Sequence, residues 1–121
     1  MLAWSQILYG ATLSAVAAAV LTALPRPRQA TVIATAALGA FAGPVAWNAI
    51  LHTTHTTGFF IDAPIPVLPA SWQDTGSAVF TLATVAVLLG IGPLRAAPTR
   101  RTVAIAALAG LAAFAVDVYL Y

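Results

Sequence analysis

The chain has no cysteine among its 121 residues, which removes disulfide, thiolate-zinc and iron–sulfur readings together. It has no lysine either, and charged side chains make up only 7% of it. A soluble domain carries roughly a quarter, so water cannot be the solvent on most of its sides. Enzyme templates are also missing: there is no HExxH, no GxSxG and no phosphate-binding glycine loop. The carboxylates, Asp62, Asp74 and Asp117, are too few and too far apart in sequence for a paired acid–base site. The net charge of +2 comes without a basic patch interleaved with aromatics, which argues against nucleic acid as a partner. No catalysis is expected, and composition calls for no cofactor.

What the chain does contain is alanine, leucine and valine in long runs, 61% hydrophobic residues in all. Residues 2–24 carry no formal charge and are long enough to cross a hydrocarbon core of about 30 Å. Their only nearby charges, Arg26 and Arg28, follow the apolar run, the reverse of a secretory signal, so the segment reads as an uncleaved helix. Trp4 and Tyr9 suit an interfacial aromatic belt, and Gln6 is a polar group that burial or the interface must accommodate. Pro25 and Pro27 then break the helix between the two arginines.

A second span is expected over residues 30–51. It holds Gly39-x-x-x-Gly43, a spacing that lets a neighbouring helix approach closely, followed at once by Pro44, which removes a backbone donor. A third span is expected over residues 72–94, opened by the capping box Ser71-x-x-Asp74 and broken at Gly92-Pro93. A second basic turn holds Arg95, Arg100 and Arg101. The fourth span, residues 102–121, contains the small pair Ala106-x-x-x-Gly110. Residues 31–39 resemble residues 102–110, and each segment follows an arginine–proline turn, as in a parallel repeat of two hairpins.

The fold class is therefore an all-α integral membrane protein: one domain of four transmembrane helices in two hairpins. Every arginine lies in the first or third connection, whereas Asp62 and Asp74 lie in or beside the second, residues 52–71. The positive-inside rule puts the arginines in the cytoplasm and both termini outside. Abundant Ala, Arg, Gly and Pro without lysine fits a GC-rich bacterial genome, and hence the bacterial inner membrane.

Candidate chemistry gathers around the second connection. If the second helix runs one turn further, Asn48, His52 and His55 share one stripe at i, i+4 and i+7. Asp117 lies near the negative end of its own helix. That place pushes it toward protonation or toward a cationic partner, and His52 or His55 is the cationic side chain available on that side. This layer is a candidate site for a quinone, haem, metal or lipid head group. The connection itself is strongly apolar and proline-rich. Phe59, Phe60, Ile65 and Trp72 must bury on the bundle, in the interface or on a partner. With Gly39, Gly43, Ala106 and Gly110 they form the candidate partner-contact set. Three functional expectations follow: a small accessory subunit of a larger membrane complex, a head-group-binding subunit, or a small proton-coupled carrier working through Asp117.

Overall fold

The computed structural model describes residues 3–24, 29–54 and 71–120, all of them helix or short turn. Four helices follow one another: α1 (Trp4–Ala23), α2 (Ala30–Thr54), α3 (Trp72–Ile91) and α4 (Thr99–Leu120). Each is long and apolar enough to cross a membrane. Successive helices pack side by side, α4 closes the ring against α1, and α2 touches α4 across the diagonal.

The ends are fixed by local chemistry. At α1 the carboxamide of Gln6 accepts from the Ala3 N–H at 2.9 Å, so Gln6 serves its own helix start and is exposed. The expected capping box opens α3: Asp74 Oδ2 accepts from Ser71 N–H at 2.7 Å and Ser71 Oγ accepts from Asp74 N–H at 3.3 Å. Glycine and proline at 92 and 93 stop α3 at Ile91, three residues before the expected end, and Leu94 N–H turns back to the Leu89 carbonyl at 2.9 Å. Pro98, whose fixed φ suits a helix start, then opens α4 three residues earlier than expected, so Arg100 and Arg101 stand in its first turn. α2 continues through Pro44 and three residues past the expected end to Thr54.

Four hydrogen bonds and ring contacts set the relative direction of the helices. The start of α3 meets the end of α2 through Gln73–Asn48 and the end of α4 through Gln73–Asp117. Trp4 at the start of α1 stacks on His52 at the end of α2. At the opposite pole Arg101 Nη2 donates to Gln29 Oε1 at 3.1 Å. One pole is thus acidic, holding Asp74 and Asp117, and the other holds Arg95, Arg100 and Arg101.

The interior is divided lengthwise. An apolar core of Ala18, Val32, Ala36, Ala40, Val85, Leu89, Ile105, Ala106 and Ala109 extends to Leu94 at the arginine pole. Alanine on alanine lets the backbones come close, the packing expected where lipid rather than water surrounds the bundle. Toward the acidic pole the interior turns polar. The outward faces carry Leu8, Val16, Val20, Leu38, Val79, Val87, Val103 and Leu111, as a lipid-facing girdle requires.

Gly39 and Gly43 seat α3, and their repeat counterpart on α4, Gly110, seats it from the other side against Ala78 and Leu82. The closest backbone approach of the three is at Gly43, where a Cβ would fall 2.6 Å from both the Cα and the amide nitrogen of Thr81. Ala106 is fully enclosed as well. These four residues were expected at a partner contact. Within the chain their lack of side-chain bulk lets the helices of this bundle close directly over them.

Candidate functional site: a buried polar knot at the acidic pole

Gln73 is the hub. It lies in the first turn of α3, only 1% exposed, and its side-chain nitrogen points into the bundle. From there Nε2 reaches Asn48 Oδ1 on α2 at 3.1 Å, Ser77 Oγ one turn along α3 at 3.3 Å, and Asp117 Oδ2 on α4 at 3.3 Å. Asn48 in turn donates from Nδ2 to the Pro44 carbonyl at 2.9 Å. The Ser77 hydroxyl hydrogen-bonds Asp117, and the Asp74 carboxylate acts on Asp117 through space. Asn48 and Asp117 are each 2% exposed. Polar groups enclosed this way must satisfy one another, since neither water nor lipid offers a partner.

Trp47 holds the hub in place. Its indole N–H donates to the Gln73 carbonyl at 3.0 Å, and its ring lies against Gly76 and Phe80, with ring centroids 5.1 Å apart in the latter pair. Gly76 is required by this approach, since a Cβ there would sit 2.1 Å from the indole ring. Gln73, Gly76 and Phe80 share one face of α3 by helical spacing, so one tryptophan of α2 grips two turns of its neighbour.

The expected layer of Asn48, His52, His55 and Asp117 is only partly assembled. Asn48 and Asp117 come together, joined through Gln73. Among the described residues the partners of Asp117 are Gln73 and Ser77, because the first turns of α3 are wedged between α2 and α4. The His52 ring stacks on Trp4 at 5.0 Å with the planes 24° apart. His55, Phe59, Phe60 and Ile65 lie outside the described residues, as does the side chain of Trp72. Among the described residues, histidine, cysteine and carboxylate side chains form no group of three able to hold a metal ion.

Sequence reasoning missed Gln73, the residue that connects three helices. A signal was present: Gln73, Ser77 and Thr81 recur at i, i+4 and i+8 in an otherwise apolar span, which marks one polar stripe on α3.

On the outside, two apolar grooves flank α4. One of about 310 Å³ lies between α3 and α4, lined by Ala78, Val79, Leu82, Gly110 and Phe114. The other, of about 610 Å³, lies between α1 and α4, lined by Ala17, Val20, Leu21, Ala112 and Val116. Leu111 forms part of both. Comparison with protein-family models, curated proteins and solved structures finds no match to this chain.

Proposed function

We propose that this chain is a non-catalytic accessory subunit of the bacterial cytoplasmic membrane, crossing it four times with both termini outside and stabilising a larger membrane complex against which it packs. The observation that supports this reading is the contrast between inside and outside. The described polar groups of the acidic pole close on one another within the bundle, with Gln73, Asn48 and Asp117 almost fully enclosed. The outside offers apolar relief, two grooves along α4 shaped to accept side chains or helices. A protein built this way has little to offer a soluble substrate and much to offer another membrane-embedded surface. The arginines at the opposite pole support the orientation through the positive-inside rule.

A quinone, haem or lipid head-group site made from His52, His55 and Asp117 has less in its favour, since the His52 ring stacks on Trp4 and Asp117 turns to α3.

The test is purification of the tagged protein at native level in a gentle detergent, with mass spectrometry and an absorption spectrum of the same sample. A stoichiometric set of co-purifying membrane proteins is the expected result, with photocrosslinks from position 111 reaching one of them. A protein recovered alone, or one with a visible chromophore, overturns the reading.

A further inference from the structure

The arginine pole concentrates positive charge where a helix is least suited to it. Arg100 and Arg101 stand in the first turn of α4, which holds no acidic residue. The free N–H groups of a helix start already make that end positive, so cations are disfavoured there and anions are drawn to it. Arg95, in the turn before α4, adds a third cation. Arg95 and Arg100 are exposed, whereas Arg101 is half-buried and donates to Gln29 Oε1 at 3.1 Å.

Among the described residues, no carboxylate lies at that pole. Asp74 caps the start of α3 and Asp117 meets Gln73 there. The length of α3, about 30 Å for its 20 residues, separates them from the arginines. The third acid of the sequence, Asp62, belongs to the connection between α2 and α3, whose flanking helix ends lie at the acidic pole. The stretch joining α1 to α2 at the arginine pole, Pro25-Arg26-Pro27-Arg28, contains no acidic residue.

Beside this patch runs an apolar furrow, the groove of about 610 Å³ between α1 and α4. Its wall on α1 is Ala17, Val20 and Leu21, the last of them within a turn of the helix end at the arginine pole. On α4 the wall passes through Leu111, Ala115 and Val116, nearer the acidic pole. The two helices run in opposite directions, so the furrow leads from the neighbourhood of the arginines through the middle of the bundle.

We propose that Arg95, Arg100 and the start of α4 hold the phosphate of an anionic phospholipid, one acyl chain of which lies in the furrow between α1 and α4. Guanidinium and backbone N–H groups are the donors a phosphate takes. Charge complementarity selects an anionic over a zwitterionic headgroup, whose own ammonium would meet the arginines. A soluble anion would leave the furrow unused. Arginine stays charged at all physiological pH values, so binding is independent of pH. The groove between α3 and α4 is left to a protein partner. This inference rests on the membrane-crossing part of the proposed function and not on the partner complex.

Native mass spectrometry of the purified full-length chain tests it. The protein is released from micelles containing equal amounts of palmitoyl-oleoyl phosphatidylglycerol and phosphatidylcholine, so that only the headgroup differs. The expected result is a severalfold excess of retained phosphatidylglycerol. Arg95→Gln/Arg100→Gln, at two exposed positions, should bring the ratio to that of the micelle with helix content unchanged. Arg95→Lys/Arg100→Lys should keep most of the excess. Ala115→Phe, which fills the furrow from an exposed position, should reduce retention of phosphatidylglycerol severalfold. Equal retention of the two lipids overturns the proposal, as does an excess that survives the glutamine variant or a retention unchanged in Ala115→Phe. Displacement of the lipid by an equal concentration of glycerol phosphate also overturns it, because the ligand is then a free phosphate. Alkaline carbonate should leave the chain in sedimented cell membranes. Its release would overturn the membrane-crossing reading and this proposal together, whereas a lost lipid preference in a chain that stays with the membrane overturns this proposal alone.

Discussion

The indole of Trp47 and the backbone of Gln73 are joined by a 3.0 Å hydrogen bond between α2 and the first turn of α3, and the interior polar knot hangs from that joint. The carbonyl it binds belongs to the residue whose side chain touches Asn48, Ser77 and Asp117, so the two interactions position each other.

Replacing Gln73 with leucine keeps the bulk and removes the hub. Asn48 Oδ1 and Asp117 Oδ2 then lose a donor inside a dry bundle, and a buried acceptor left unmade costs about 1–3 kcal/mol. The Gln73→Leu variant should therefore unfold at lower denaturant than the wild type in mixed micelles, by an amount in that range. A wild-type midpoint would mean that the knot contributes nothing to the fold.

Gly76→Ala tests the joint itself. The added methyl would overlap the indole ring, forcing Trp47 to swing away and break its bond to Gln73. Overpacking of this kind costs about 1–3 kcal/mol. Tryptophan emission should shift and near-ultraviolet circular dichroism should weaken, while helix content stays constant.

Three further glycines form a graded series. Gly43→Ala meets the backbone of Thr81, which cannot step aside, whereas Gly39→Ala first meets a methyl of Val85. Nothing lies within 4 Å of a Cβ at Gly90, where alanine gains up to about 1 kcal/mol of helix propensity. The expected order of thermal stability in detergent is Gly90→Ala above wild type, then Gly39→Ala, then Gly43→Ala.

His52 and Trp4 tie the start of α1 to the end of α2. A stacked ring pair adds about 0.5–1.5 kcal/mol beyond its buried area. His52→Phe should keep that contribution and His52→Ala should lose it. The loss is to be read as greater hydrogen exchange in the first turn of α1, and equal exchange in the two variants would refute the role given to the pair.

The absence of cysteine makes orientation easy to measure. Single cysteines at exposed Thr54 and exposed Ala96 stand at opposite poles. An impermeant thiol reagent added to whole cells should label Thr54→Cys, and should label Ala96→Cys only after the membrane is opened. The reverse pattern would invert the proposed topology.

The four helices were legible because length and apolarity alone decide what can cross a membrane. The capping box at Ser71 and Asp74 was legible because its chemistry lies within four residues. The small pair Gly39 and Gly43 announced close packing, but a glycine spacing does not say whose helix will approach, and here it is α3 of the same chain. Asp117 was read toward histidine because charge suggested a cationic partner. Among the described residues it meets Gln73 and Ser77, neutral groups forty residues or more away in sequence, whose proximity depends on where α3 enters the ring. Long-range neutral contacts leave no mark on charge or periodicity beyond a polar stripe.

The knot draws on α2, α3 and α4, and this sets an order on biogenesis. With only the first hairpin made, Asn48 can bond its own helix through Pro44, but its side-chain oxygen still lacks the Gln73 donor. α3 brings Gln73, and only the last turn of α4 brings Asp117. Until translation delivers that turn the three-helix knot stays incomplete, so its closure is among the last events in building the bundle.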